Sequence, residues 1–241
     1  MQESGNVFRT GKYHRSFSKK NIHPMRKSLL RFFYRTCSRL IQESGWPDPL
    51  SNATPRILLC GTASPYTTVS FARFVNEHND MASINVLDIS PYALSQSEKL
   101  LNTCQDIDSS KLCFIEGDAL HMPLPDEHFD WIETDFFMQY FSSEEKTILF
   151  REWYRALKPA GIITTRDWLW QRHNLSERVV DGAKNWLIKH ILGPTAHSAK
   201  LEEVRQLLND AGFEAAFSPV YAPVIHMRIP LMSYVIIYKP V

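Results

Sequence analysis

The residue whose position best suits a chemical role is Asp88, which ends a short apolar run at residues 84–88 (INVLD). A carboxylate at the end of the second strand of a nucleotide-binding unit can accept both hydroxyl hydrogens of a ribose. The alternative is a solvated carboxylate in a turn. The apolar run before Asp88 and the Ser90-Pro91 pair after it favour the ribose-binding role.

The loop Gly61-Thr62-Ala63 follows an earlier apolar run at residues 57–60 (ILLC). Small residues here let the backbone approach a nucleotide closely. The GxGxxG pattern for a dinucleotide pyrophosphate and the GxxxxGK[ST] pattern of a phosphate-binding loop are both absent from the sequence. The loop therefore favours a ligand with adenosine and no phosphate, and it argues against NAD, FAD and ATP hydrolysis.

Two further aspartates end the third and fourth predicted strands. Asp118 follows Gly117, where its carboxylate can accept a hydrogen bond from the exocyclic amine of adenine; an Asx turn would use the same residue. Asp135 ends the run at residues 129–135 and would face the centre of a ligand crevice, with helix capping as the alternative. We predict an active-site role for Asp135 from its position.

An alternation of strands and helices positions these residues. Five buried strands are predicted from runs at residues 57–60, 84–88, 112–116, 129–135 and 160–167. Two later β-rich runs, at 213–220 and 231–239, have no helix between them and predict an antiparallel hairpin. The predicted fold class is α/β, a doubly wound, Rossmann-like, mostly parallel seven-stranded sheet with this hairpin at its edge. Such sheets bind ligands beyond the carboxyl ends of their strands.

Local signals mark the ends of the predicted helices. Ser90 is a good N-cap, and Ser142 and Glu145 have the spacing of a capping box that opens a helix to about Leu157. Gly212 is predicted to end a helix at residues 198–211.

The N-terminal segment is strongly basic. Residues 1–40 contain ten Lys/Arg and one acid, so they carry +9, and the total of +1 leaves −8 for the rest of the chain. Residues 1–22 predict an arm without periodicity, and residues 23–43 predict an amphipathic helix. The apolar stripe of that helix consists of Met25, Leu29, Phe32, Phe33, Cys37, Leu40 and Ile41. We divide the chain into an N-terminal lid or cap at 1–55 and a catalytic domain at 56–241.

An insertion at residues 168–197 separates the fifth strand from the next predicted helix. It contains Trp168, Trp170 and Trp186 among polar residues. Aromatic insertions at this edge can close over a substrate, although tryptophan serves core packing at least as often. We predict that the insertion and the arm, which carries Tyr13 and His14, together shape an apolar substrate pocket.

Composition predicts a packed protein of a reducing compartment. The sequence is 44% hydrophobic, has no secretory-signal pattern, and has no apolar run of the roughly 18 residues that a membrane helix needs. Its cysteines, Cys37, Cys60, Cys104 and Cys113, form no CxxC pair, so neither a metal site nor a disulfide framework is indicated. We expect a cytoplasmic protein.

Three segments resemble the class I S-adenosylmethionine-dependent methyltransferases, from about Arg56 to the C-terminus. They read INVLDISPYAL, GDALHMPLPDEHFDWI and REWYRALKPAGIITT. The last departs from the usual leucine-lysine-proline-glycine-glycine run because Ala160 replaces one glycine. The first strand, in ILLCGTASPY, departs further because it lacks the family's acid and two of its glycines.

The resemblance implies a site for S-adenosylmethionine, with S-adenosylhomocysteine as the product. Gly61, Thr62 and Ala63 would border the methionine part, Asp88 would hold the ribose, Asp118 and Ala119 would flank the adenine, and Thr134 and Asp135 would lie beside the sulfonium. Ile89, next to Asp88, and Tyr13, on the arm, complete the predicted cofactor-binding set.

The predicted activity is in-line methyl transfer to a small-molecule acceptor. Candidate proton acceptors are Asp135, Asp167 and His121, with Tyr140 and Arg166 as orienting residues, although Arg166 could simply pair with Asp167. An RNA methyltransferase is favoured by the basic arm and disfavoured by the acidic body. A non-methylating S-adenosylmethionine-binding protein, a cyclase or a regulator, is suggested by the altered first loop.

Overall fold

The computed structural model describes residues 8–9, 24–62, 64–171, 175–192, 196–197, 199–224 and 227–241. Its α-helices are α1 (Pro24–Glu43), α2 (Pro65–His78), α3 (Pro91–Leu101), α4 (Ser143–Ala156), α5 (Leu175–Leu187) and α6 (Leu201–Asp210). Its strands are β1 (Arg56–Cys60), β2 (Ser83–Asp88), β3 (Leu112–Glu116), β4 (Phe129–Asp135), β5 (Leu157–Asp167), β6 (Leu169–Trp170), β7 (Ala199–Lys200), β8 (Glu214–Val224) and β9 (Met227–Tyr238).

A seven-stranded sheet forms the centre of the molecule, in the order β3-β2-β1-β4-β5-β9-β8. The strands from β3 to β5 are parallel to their neighbours, whereas β9 is antiparallel to both β5 and β8. This confirms the predicted α/β fold and the hairpin at the edge. The strand order reverses between β1 and β4, which is where an open α/β sheet forms a ligand crevice.

The predicted helix ends agree with the structure. Ser90 caps α3 by accepting from the amide of Ala93, and Ser142 and Glu145 form both bonds of a capping box at α4. Gly212 has a positive φ of 93°, which suits the residue after a helix. Strand β5 starts at Leu157, earlier than the predicted residue 160, because Leu157 already pairs with Phe129 before the register shifts.

Helix α1 packs against the same core as the sheet and α2. Its buried residues include Leu30, Phe33 and Tyr34. The predicted stripe was wrong at Phe32, whose side chain is 61% exposed, while Leu30 and Tyr34 turn inward instead. Phe33, Cys37 and Ile41 are buried as predicted, and the buried face extends to Tyr34, whose ring contacts two aromatic rings of α2. The division of the chain at residue 55 stays a prediction.

The described part of the insertion is attached to the end of β5. Strand β6 pairs with β7, and Lys184 of α5 lies 4.8 Å from the ring centroid of Trp168 and 5.6 Å from that of Trp170. Trp170 is buried, so this tryptophan packs in the core, whereas Trp186 is exposed. Among the described helices, none is long and apolar enough to span a membrane.

Candidate active site

Asp88 lies at the carboxyl end of β2 and connects two loops at the sheet edge. Its Oδ2 accepts from the amide of Thr62 at 2.7 Å, and its Oδ1 accepts from the amide of Ser90 at 2.8 Å. The side chain is only 6% exposed. Asp88 thus fixes the loop after β1 relative to the loop after β2. Ile89, the next residue along the chain, is half-buried.

The loop after β1 makes a sharp turn at Gly61, which has a φ of 80°. The amide of Gly61 donates to the carbonyl of Leu87 at 2.8 Å, so this loop leans against the end of β2. The Thr62 side chain is buried, with its Oγ1 3.3 Å from the hydroxyl of Ser97. Ala63, the third predicted residue of this loop, lies outside the described residues, as do Tyr13 and His14.

Asp118 and Ala119 follow β3 at the next strand end. The Oδ1 of Asp118 accepts from the amide of Leu120 at 3.0 Å, which is the Asx turn that was the alternative to adenine binding. This bond uses one carboxylate oxygen, so the turn and a contact with a ligand are compatible. Ala119 is buried. His121 forms an isolated bridge with Asp118, and its side chain is exposed.

Asp135, at the end of β4, forms an ion pair with a fully buried arginine. The Nε of Arg166 lies 2.9 Å from the Oδ1 of Asp135, and its Nη2 lies 3.7 Å from the Oε1 of Glu133. The suggestion that Arg166 pairs with Asp167 was wrong, because neighbours on a strand point to opposite faces. Asp135 is the residue opposite Arg166 in the register of β4 and β5.

The ion pair belongs to a ladder of buried polar groups between the sheet and α1. Trp131 Nε1 donates to Thr164 Oγ1 at 2.7 Å, and Thr164 donates to Glu133. The guanidinium of Arg166 lies 4.5 Å from the ring centroid of Phe33 and 5.3 Å from that of Tyr34, both on α1. Helix α1 therefore closes the ladder from solvent.

Burial controls the charges in this ladder. Burial raises the pKa of Glu133 to about 8, although the nearby charge of Arg166 and the bond from Thr164 oppose it. Burial alone would lower the pKa of Arg166, but Asp135 and Glu133 raise it above its ordinary value. The arginine is therefore charged, Asp135 is its closest counter-ion, and Glu133 is largely protonated at neutral pH.

Asp167 faces the opposite side of the sheet. Its carboxylate accepts from the amides of Trp168 at 2.8 Å and Gln139 at 3.2 Å, and it is 1% exposed. Burial raises the pKa of Asp167 to about 6, against the effect of those two amides and of Lys184. Thr134, between Asp135 and Glu133 in sequence, is also fully buried and points to this second face.

An aromatic turn that the sequence analysis did not select follows Asp135. Phe136 has a positive φ of 50°, and the ring of Phe137 lies directly against Gly61. Tyr140 ends the turn, and its ring centroid lies 5.2 Å from that of Phe8, on the N-terminal arm. The Phe136-Phe137 pair is visible in the sequence, but its contact with Gly61 depends on the order of β1 and β4 in the sheet.

The comparisons with known proteins agree with the observed fold. Residues 60–165 match the family described as a methyltransferase domain. Among solved structures, the chain resembles a SAM-dependent methyltransferase from Methanosarcina mazei, at 18% identity and a TM-score of 0.60 over 81% of this chain and 99% of that one. It also resembles the YcgJ protein of Bacillus subtilis, at 15% identity and a TM-score of 0.60 over 86% and 99% of the two chains. No curated protein matched the chain.

The matched region runs from the last residue of β1 to Thr165 within β5, so it contains Gly61, Asp88, Asp118 and Asp135. Residues 60–165 of this chain form a methyltransferase domain. The enzyme thus uses S-adenosylmethionine as its cofactor. The methyltransferase SibL in its apo form has the same fold, at 17% identity and a TM-score of 0.60 over 87% of this chain and 58% of that one.

The residues of this methyltransferase fit the adenosine half of the cofactor. Asp88 is held at the end of β2, and a carboxylate has more acceptor positions than its two amide partners use. Asp118 stands at the adjacent strand end. On β1, Leu59 is opposite Glu133 of β4. The methionine half would lie along Gly61, where the ring of Phe137 also lies.

Proposed function

We propose that this methyltransferase transfers the methyl group to a small molecule. The observation that carries the proposal is the burial and pairing of basic side chains around the carboxyl ends of β4 and β5. A nucleic-acid substrate needs exposed Lys and Arg side chains to neutralise its phosphates. Three basic side chains at this edge are instead buried beside acids or backbone carbonyls.

Three side chains support this argument. Arg166 is 0% exposed and pairs with Asp135. Lys184 is buried, and its Nζ lies 2.7 Å from the Oδ1 of Asp181. Lys146 is 1% exposed and donates to the carbonyl of Phe141 at 2.7 Å.

Aromatic rings surround the same edge. Phe136 and Trp168 are in edge-to-face contact, with centroids 5.7 Å apart. The contact between Phe8 and Tyr140 supports the hypothesis that the arm covers this opening. An aromatic surface with few accessible charges suits an apolar or aromatic acceptor better than a polyanion.

Each charged residue of the site has a proposed task. The cofactor supplies an activated methyl group when it is bound. Asp88 accepts hydrogen bonds from the ribose hydroxyls and fixes the loop after β1, and Asp118 accepts a hydrogen bond from the adenine amine. Asp135, fixed by Arg166, provides a negative charge at the end of β4.

Asp167 is the best candidate for removing a proton from a hydroxyl or amine acceptor. Its pKa of about 6 leaves it deprotonated at neutral pH and more basic than an ordinary aspartate. Its burial means that the acceptor would reach it only from within the closed site. Catalytic roles for Asp135 and His121 stay predictions.

Labelled cofactor tests the proposal. The enzyme is incubated with S-adenosylmethionine labelled on the methyl group and, separately, with a metabolite fraction, total RNA and a protein fraction. We expect label in the metabolite fraction, and none with Asp88→Ala. Label that reaches RNA or protein alone would refute a small-molecule acceptor.

An RNA substrate is the second candidate, because Arg35 and Arg39 expose a basic face of α1. This face is partly neutralised, since Arg31 pairs with Glu77 and Arg39 with Glu43. A steep fall of RNA affinity with rising salt would favour it, because phosphate contacts release counterions. Binding of S-adenosylhomocysteine without label transfer to any fraction would favour a non-methylating role.

A further inference from the structure

The ring of Phe137 occupies the space beside Gly61. A Cβ built on Gly61 would lie 2.6 Å from both Cδ2 and Cε2 of that ring, which is far inside van der Waals contact. The ring therefore rests on the bare α-carbon of the glycine. This is the face of the loop along which the methionine part of the cofactor would lie.

The turn that delivers this ring is strained. Phe136 has a φ of 50°, in the left-handed region that bulky residues rarely adopt. Its amide donates to the carbonyl of Arg166 at 2.7 Å, which anchors the turn to the end of β5. The ring of Phe137 is supported from behind by Phe141, with centroids 5.0 Å apart in an edge-to-face contact.

The loop on the other side of the contact is held in place. Asp88 accepts from Thr62, and the amide of Gly61 donates to Leu87, so the loop after β1 is tied to the end of β2. A ligand that enters between the two must displace one of them, and the left-handed backbone at Phe136 makes the turn after β4 the less costly one to move.

We propose that Phe137 is a gate on the cofactor site: its ring covers Gly61, and the cofactor binds after the ring turns away. A ligand that binds only the open conformation has its affinity reduced by the fraction of molecules that are open. Phe137 therefore sets the affinity for the cofactor without being needed for contact with it. The inference rests on the cofactor site and is independent of the acceptor proposed above.

Truncation of the ring tests the gate. We expect Phe137→Ala to bind S-adenosylhomocysteine about tenfold more tightly than the wild type in calorimetry, as for a gate that is open about a tenth of the time. Phe217→Ala is the control, since Phe217 is a half-buried aromatic residue of the distant edge strand β8. It should leave the affinity unchanged.

Association kinetics give a second readout. Observed rates for the wild type, followed by tryptophan fluorescence, should level off with rising ligand because ring motion becomes limiting, whereas those of Phe137→Ala should stay linear. Unchanged or weaker binding by Phe137→Ala would overturn the gate and make the ring a wall of the site. If Phe137→Ala does not fold, the affinity of Phe137→Leu, which keeps an apolar side chain, is measured instead. Tighter binding would support the gate, and unchanged or weaker binding would overturn it.

The test separates this inference from the proposed function. Label found in RNA would refute the small-molecule acceptor and leave the gate intact. Equal affinities in the wild type and Phe137→Ala would refute the gate and leave the acceptor unaffected. Absence of binding by Phe137→Ala would also refute the gate, because the open loop would then form no site.

Discussion

At the scale of single residues, Asp88 combines an observed structural role with a proposed ligand-binding role. It accepts from two backbone amides that hold the site's loops, and we propose that it also binds a ribose. A carboxylate held by two amides resists movement, which suits a group that must present its oxygens in one orientation. Loss of the charge should therefore affect both cofactor binding and folding.

Asp88→Asn should weaken S-adenosylhomocysteine binding by about 10- to 100-fold, since bonds to a charged group contribute about 1.5–3 kcal/mol. It should also lower the melting temperature, because an amide nitrogen cannot accept from Thr62 or Ser90. Calorimetry and thermal unfolding measure the two effects. Glu98→Gln, at an exposed carboxylate on α3, is the matched control. Wild-type affinity in Asp88→Asn would show that Asp88 is structural only.

Glu133 should make the protein less stable as the pH rises. Burial raises its pKa from 4.5 in the unfolded chain to about 8 in the folded one, so the folded state retains a proton that the unfolded state has lost. The stabilisation is complete below pH 4.5 and is lost as the pH rises through about 8.

Melting temperatures between about pH 7 and pH 8, where Asp167 is already mostly deprotonated, measure this effect. We expect the wild type to lose stability across that range and Glu133→Gln to lose less. Glu98→Gln should keep the wild-type slope. An identical slope in Glu133→Gln would contradict the raised pKa.

Single residues could be predicted from the sequence where local chemistry determines them. Asp88, Ser90 and the Ser142/Glu145 pair are such cases, because strand ends and helix caps have short-range signatures. The partners of Arg166 could not be predicted, since they depend on the register of β4 against β5. Phe137 was missed for the same reason.

At the scale of elements, α1 is a structural part of the site and carries a basic outer surface. Tyr34 lies 5.2 Å from Phe71 and 5.5 Å from Phe74, measured between ring centroids, and it also covers Arg166. The sequence predicted the helix and its amphipathic character. It predicted correctly that Phe33, Cys37 and Ile41 face inward, and it was wrong at Phe32 and missed Tyr34, because aromatic and aliphatic residues surround much of the helix and the rings of α2 decide the orientation.

Tyr34→Ala should therefore lower the free energy of unfolding by about 3–5 kcal/mol, as for other large buried aromatic residues. Phe32→Ala should change it by less than about 0.5 kcal/mol, since that ring is 61% exposed. Denaturant titration of both variants checks the orientation of α1. Equal losses in the two variants would contradict it.

The N-terminal arm is the second element whose role can be tested. Deletion of residues 1–22 removes Phe8 and its contact with Tyr140, and we expect weaker binding of cofactor or acceptor. Phe8→Ala in the full chain should reproduce about a two- to tenfold loss, the size of one aromatic contact. Arg9→Ala, at an exposed neighbour, should not. Unchanged affinities by calorimetry would remove the arm from the site.

At the scale of the whole molecule, the fold was the easiest feature to predict. Apolar runs and helices of the right length leave few arrangements open, because parallel crossovers are right-handed and ligands collect where the strand order reverses. The start of β5 was the main error. There Leu157 pairs with Phe129 of β4, and the strand then continues through Ala160. The φ of Ala160 is 61°, a backbone conformation more typical of a turn than of a strand.

The position of β9 has a consequence for how the chain is made. This strand lies between β5 and β8 although it is synthesised after both. Until β9 leaves the ribosome, one edge of β5 is unpaired, and β8 has no β9 with which to pair. Open strand edges recruit other chains, so the interval before β9 arrives is a period of aggregation risk. Conditions that slow translation of β9 should thus reduce soluble yield more than conditions that slow translation of β1.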